Sequence, residues 1–277
     1  MSSPKNKVQT STTAFAALVA VFTFPSFTAE AATVAFETQA DLTDNFTLAS
    51  DNTTAPLVTA GAGIGNPASG GLVNGPSGDD GYNFNTAFNL SVAGNQISMF
   101  FKNSGTGPAQ TPTSLFLGYS TDAGTTLNTN VVNGQEWFGM RVSAQTGGVN
   151  FRLQTRSNNS TVTDQGQDFA LTTTNFYKFT VEVVRTATAG VFSLTGKVED
   201  FGTDGTSIPA TALKTFTSSV TNTAVYNDTS AFAGFRAPSG GGANNFDNFS
   251  VNQVPEPGTI GLLALATVGM VAIRRRR

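Results

Sequence analysis

The chain contains no cysteine and no histidine. The first absence excludes disulfide staples and thiolate metal sites. The second removes the Ser-His-Asp triad, the Cys-His dyad and His-ligated zinc. Charge is scarce as well: 12% of the 277 residues are charged, and there is one tryptophan. Of 15 basic residues, Lys5, Lys7 and Arg274–Arg277 lie in the terminal segments, leaving nine between residues 32 and 253. Of 18 acidic residues, Glu30 and Glu256 lie in or beside those segments, leaving 16, so the middle of the chain carries a net charge near −7. A basic footprint for nucleic acid is therefore missing, and no nucleic-acid partner is expected. What is abundant is Thr, Asn, Ser and Gly, the composition of an extracellular β protein with a neutral hydroxyl and amide surface.

Both ends read as address labels. Pro255 and Pro257 fix φ and remove two backbone donors, which stops any strand before them. An uncharged apolar run follows at 260–273, then Arg274, Arg275, Arg276 and Arg277, which cannot enter hydrocarbon and stay on the cytoplasmic side. From 257 to 273 there are 17 residues, roughly 25 Å of helix against a hydrocarbon core of about 30 Å. Snorkelling arginines and local thinning of the bilayer cover the difference. This order of parts resembles the PEP-CTERM sorting signal of exported bacterial proteins, with Pro255, Glu256 and Pro257 as its triplet. The resemblance implies handling by an exosortase and a temporary membrane anchor; a permanent single-pass anchor is the alternative. At the other end, Lys5 and Lys7 precede an apolar stretch at 14–24 that is too short to span, and Ala29-Glu30-Ala31 offers a cleavage site. The expected division is a signal peptide at 1–31, one domain at 32–253, and a sorting tail at 254–277 with its transmembrane helix at about 258–273 and basic stop at 274–277. An uncleaved N-terminal anchor is the alternative at the first boundary.

Between the tails, apolar and polar residues alternate. Ile97, Met99 and Phe101 share one face of a stretch, as do Leu115, Leu117 and Tyr119; Phe138, Met140 and Val142; Val149, Phe151 and Leu153; Tyr177, Phe179, Val181 and Val183; and Phe192, Leu194 and Val198. Period-2 patterns are the main strand signal. About twelve strands are expected, with a long loop or loosely paired edge at 53–80, a polar loop at 157–167, and no helical periodicity before the tail. The fold class is all-β, an antiparallel β-sandwich or jelly roll. From Asn175 the order of features, ending in Phe246-Asp247-Asn248-Phe249-Ser250-Val251, resembles concanavalin A-like (laminin-G-like) jelly rolls over about residues 82–251. That resemblance implies carbohydrate or matrix binding, sometimes with calcium, and only occasionally hydrolysis.

Candidate chemistry follows. The first and last strands of jelly rolls often pair, which brings Glu37 and Asp247 together; the resemblance makes them candidate ligands of a structural Ca²⁺, while Asp247 as a turn cap is the alternative. Residues 120–127 resemble an Asp-box turn with Leu127 where a tryptophan belongs. Trp137 lies opposite Phe138 and Met140 in alternation. It is either an exposed platform for sugar stacking, with Arg141, Asn150 and Arg152 donating to hydroxyls, or part of a second buried layer. Glu136, Glu182 and Asp122 are the carboxylates from which a hydrolase pair would be drawn, but the Glu-x-Asp-x-x-Glu signature of laminarinase-like jelly rolls is absent, and no enzyme is expected. The chain is expected to be an exported cell-surface or biofilm-matrix protein. It would pass through the inner membrane and act as a non-catalytic module contacting extracellular polysaccharide, with a secreted glycan hydrolase as the alternative.

Overall fold

The computed structural model describes residues 31–49, 57–65, 67–73, 80–90, 94–102, 114–125, 127, 136–144, 150–158, 160–163, 168–228, 230–237 and 245–254. The sorting triplet, the basic stop and the N-terminal signal before Ala31 lie outside them. Among the described residues no helix is long and apolar enough to cross a membrane.

In chain order the elements are β1 (Ala31–Val34), α1 (Gln39–Asn45), β2 (Phe46–Leu48), β3 (Leu57–Ala60), β4 (Gly70–Val73), β5 (Asp80–Phe88), β6 (Gly94–Lys102), β7 (Ser114–Ser120) and β8 (Trp137–Ala144). Then come β9 (Asn150–Ser157), β10 (Ser160–Thr163), β11 (Phe169–Ala170), β12 (Phe176–Arg185), β13 (Val191–Asp200), β14 (Lys214–Thr221), α2 (Thr223–Asn227), β15 (Ala231–Ala237) and β16 (Asn245–Val254). They form two antiparallel sheets of eight strands each. The first runs β14-β13-β12-β6-β16-β4-β3, with β1 also on β16; the second runs β10-β9-β8-β7-β15-β5-β2, with β11 on β9. The alternating apolar sets named above, apart from Val149, which lies outside the described residues, face the space between the sheets: Ile97, Met99, Tyr177, Phe179, Val181 and Phe192 from one, Leu115, Leu117, Phe138, Met140 and Leu153 from the other, each buried in one continuous core. Phenylalanine dominates it. Phe46 meets Phe84, Phe235 and Phe249 edge-on at ring distances of 5.1–5.5 Å, and Phe138 stacks across the sandwich on Phe192 at 4.5 Å. Such pairs add to plain area burial.

Of the two alternatives at 53–80, the paired edge is the one present, with β3 on β4. The structure departs from the sequence pattern at three places. The expected polar loop holds β10, a Ser/Thr strand whose backbone pairs with β9. Two short helices appear: α1, where the Thr38 N–H donates to Asp41 Oδ2 at 2.6 Å, and α2, whose first turn is capped by Asn222 Oδ1 accepting from the Val225 N–H at 3.0 Å. Finally, β16 is bulged. Its register against β6 shifts between Asp247 and Ser250, and Asn248 takes φ +50°, a left-handed conformation that Asn tolerates better than most residues. The bulge puts both Phe246 and Phe249 in the core although they are three residues apart.

Candidate functional site

Two places collect the binding and metal candidates singled out by sequence, while Glu182 lies apart from both on β12 of the first sheet. One is the outer face of the second sheet. Inner and outer residues alternate along β7, β8, β9 and β15, so Phe116, Gly118, Trp137, Gly139, Arg141, Gln154, Arg156, Gly234 and Arg236 face away from the main core. Phe116, Trp137 and Leu127 make a small cluster of their own, with Phe116 and Trp137 edge-on at 5.4 Å. Gly234, Gly118 and Gly139 stand in one register row across β15, β7 and β8. A β-carbon on Gly139 would run into the carbonyl oxygen of Leu117 and the Phe116 ring, and one on Gly234 would meet Leu127. The row is thus a trough that only hydrogen side chains leave open, and Phe116 and Leu127 fill it.

A strap closes over it. After β7 the chain turns at Asp122, whose Oδ1 accepts the Gly124 N–H at 2.6 Å, the arrangement of an Asx turn. Asn83 on β5 then donates to the carbonyls of Ala123 and Thr125 at 2.8 and 2.7 Å, and Arg236 Nη1 donates to the Leu127 carbonyl at 3.1 Å. Trp137 is consequently 1% exposed. The expectation of an open stacking platform is corrected: the ring belongs to a second buried layer, covered by Leu127 and by the Arg156 guanidinium 5.6 Å from its centroid.

The other three candidates share that same face. Arg141 Nε donates to Gln154 Oε1 at 2.5 Å, Arg152 forms an ion pair with Asp168, and Asn150 opens β9 in an exposed position. Sequence reading missed Arg156 and Arg236, which have the same parity on their strands. Burial first, and the neighbouring charge of Arg156 second, push the Arg141 guanidinium down to about 10. Arg156 is lowered for the same two reasons, its charged neighbour being Arg236.

The second place is where β1 and β16 run side by side, Ala31 opposite Asn252 to Val34 opposite Phe249. Asp247 is 1% exposed there. Its Oδ1 accepts the N–H of Asn248 at 2.7 Å and of Phe36 at 3.4 Å. Its Oδ2 accepts the N–H of Ile64 at 3.0 Å and lies 3.1 Å from the Ser69 hydroxyl. Glu37 Oε2 accepts the Gly70 N–H at 2.9 Å. Sequence reasoning placed these two acids together correctly, but their surroundings are donors. A Ca²⁺ ion takes about six to eight oxygen ligands, whereas three backbone N–H donors and the Ser69 hydroxyl already surround the Asp247 carboxylate. No group of three or more Asp, Glu, His or Cys side chains suited to a metal occurs among the described residues. The donor set does not fit calcium: Asp247 holds Ile64 and Ser69 to the sheet and caps its own turn at Asn248, the alternative raised for it, while Glu37 holds Gly70 of β4.

With this geometry in hand, similarity to known proteins can be stated. Residues 253–277 match the PEP-CTERM protein-sorting motif. The tail is a sorting signal. A PEP-CTERM tail marks a secreted, surface-associated protein processed by an exosortase. No curated protein matches the chain. Among solved structures, a protein of unknown function from Shewanella oneidensis MR-1 is similar at 16% identity and TM-score 0.51, over 82% of this chain and 87% of that one. The winged bean acidic lectin, in complex with methyl-α-D-galactose, is similar at 8% identity and TM-score 0.49, over 82% and 99%. A carbohydrate esterase from the Shiga toxin-encoding bacteriophage phi24B follows at 12% identity and TM-score 0.48, over 80% and 97%. At such identities the likeness is one of fold.

Proposed function

We propose that this PEP-CTERM protein is an exported cell-surface or biofilm-matrix module that contacts extracellular polysaccharide without catalysis. The sorting motif at 253–277 is the observation that carries the reading. On this reading the signal at 1–31 directs export, the apolar stretch at about 258–273 holds the protein at the inner membrane, and the exosortase releases the domain at 32–253 to the surface. Support for binding rather than hydrolysis comes from β7, β8, β9 and β15, which hold no Asp or Glu at all. Glycoside hydrolysis needs two carboxylates flanking one bond. The same face offers guanidinium and amide donors from Arg141, Arg152, Asn150 and Gln154, which suit sugar oxygens.

The test is fractionation of cells producing the full chain, with surface proteolysis of intact cells, beside a variant carrying Pro255→Ala and Pro257→Ala. The reading expects protease-accessible wild-type protein and a variant retained in the membrane fraction. Wild-type protein in the cytosol with both ends intact would refute it.

A further inference from the structure

The charges of this domain are sorted by sheet. Residues 32–253 contain five arginines, of which Arg141, Arg152, Arg156 and Arg236 lie on the outer face of the second sheet. All four lysines of the same span, Lys102, Lys178, Lys197 and Lys214, lie on strands of the first sheet. The three strands bearing those arginines, β8, β9 and β15, and β7 between them contain no acidic residue, within a domain whose net charge is near −7. A cationic strip embedded in an anionic protein is a local feature with a local cause.

We propose that this strip binds acidic polysaccharide, with Arg141, Arg152 and Arg156 gripping the carboxylates of a uronate-bearing chain. The inference rests on the polysaccharide-contacting reading above and narrows it to one chemical class. Register supplies the spacing. Arg156 stands opposite Gly139 and Arg152 opposite Ser143, while Arg141 lies on β8 between those two positions. Diagonal neighbours of this kind sit about 7–8 Å apart, so the three guanidiniums zigzag along the β8–β9 ladder as repeated charges do along a polymer. Each guanidinium is a planar fork that matches a carboxylate with two hydrogen bonds, a match lysine cannot make. Among the described residues Arg141 meets no carboxylate: it donates to the neutral amide of Gln154, and its charged neighbour is Arg156. Like charges held together in partial burial gain from a bound anion.

The floor also fits a polymer. Phe116, Trp137 and Leu127 fill the trough, so the face offers an extended surface rather than a hole. A lipid surface is disfavoured because, among the described residues, the large apolar side chains left exposed, Leu48, Leu57, Val184, Ile208 and Leu213, all lie off these four strands. Asp168, which holds Arg152, is a competitor at the edge of the strip.

The experiment is native electrophoresis of the full chain through gels containing polygalacturonate, its fully methyl-esterified form, or dextran, with phosphatidylglycerol vesicles in a parallel sedimentation. Retardation by polygalacturonate, at least about tenfold weaker on the ester, is expected for charge-assisted pairs. Arg141→Gln with Arg156→Gln should abolish that preference, whereas Lys178→Gln with Lys197→Gln should leave it intact; thermal melts confirm that each variant is folded. Asp168→Asn should strengthen retention, an effect that a merely structural strip would not show. Equal retention on acid and ester overturns the inference while leaving polysaccharide binding standing. Retention on no glycan, with or without vesicle binding, overturns both. Retention that survives the double arginine substitution overturns the assignment of the face.

Discussion

Replacing Asp247 with asparagine tests how the last strand is fastened. In the wild type both carboxylate oxygens accept: Oδ1 from the N–H groups of Asn248 and Phe36, Oδ2 from the Ile64 N–H beside the Ser69 hydroxyl. Asparagine keeps one acceptor oxygen and places an NH₂ against the other pair of donors. A buried donor left without an acceptor costs about 1–3 kcal/mol, and bonds to a charged acceptor weaken when the charge goes. One orphaned donor, the Ile64 N–H, since the Ser69 hydroxyl can turn to the Ile64 carbonyl and accept from the new amide, plus that weakening gives about 2–4 kcal/mol, a large share of the 5–15 kcal/mol typical of a domain. For a domain of this size each kcal/mol moves the melting midpoint by about 2–4 °C, so the expected drop is about 5–15 °C. The assay is differential scanning calorimetry of wild type and variant, each with and without a chelator. The chelator should move neither midpoint, because amide donors and not a metal neutralise the carboxylate. A drop of less than about 3 °C for Asp247→Asn would refute the reasoning, and a chelator-induced fall in the wild type would restore calcium to this place.

Leu127→Ala removes a side chain that is 0% exposed and opens the trough beneath the strap. Urea unfolding should show a loss of about 2–4 kcal/mol. Gly139→Ala drives a β-carbon against the Leu117 carbonyl; the variant should be strongly destabilised or fail to fold, whereas an unchanged midpoint would mean the row of glycines is incidental. The Tyr119 hydroxyl is buried without a hydrogen-bond partner, so Tyr119→Phe should raise stability by about 1 kcal/mol. That residue also sets a pH dependence. Burial pushes the phenol well above its ordinary value of 10.0, so above about pH 10 the unfolded chain ionises while the folded one does not. The unfolded state then binds fewer protons, and stability falls with rising pH. Arg141, lowered by burial to about 10, acts in the opposite sense, since its folded form releases a proton first. Subtracting Tyr119→Phe from wild type across alkaline pH isolates the phenol, and parallel curves would contradict its burial.

The strands with a strict alternation were legible, because β6, β12 and β13 put one side chain in two into the core and little else decides their place. The edge strands were legible only in part: a paired edge at 53–80 was one of two alternatives, and β10 fell in an expected loop. β4 opens with Gly70 and Gly71, which pair through backbone alone and carry no side chain to announce it; β10 is built of Ser, Thr and one Val for the same reason. α1 has only seven residues, too few for a helical period to show. At the site, parity told which face Trp137, Arg141, Asn150 and Arg152 occupy, but not what covers it. The cover is the strap at 120–127, held by Asn83 and Arg236 from distant points of the chain, and no local pattern reports such a contact. Arg156 was within reach, since it repeats the parity of Asn150 and Arg152. The Phe246–Phe249 spacing of three also signalled a bulge, as an apolar pair out of step with a period of two. The proximity of Glu37 and Asp247 followed from pairing of first and last strands. Their role did not, because it depends on which way the N–H groups of the 61–69 loop point.

Hydrogen exchange of the full chain, measured with and without polygalacturonate, reads the binding face directly. The account predicts slowed exchange in the exposed parts of β8, β9 and the β9–β10 hairpin, with β12, β13 and β14 of the opposite sheet unchanged. Protection concentrated on the lysine-bearing sheet, or none at saturating glycan, would contradict it.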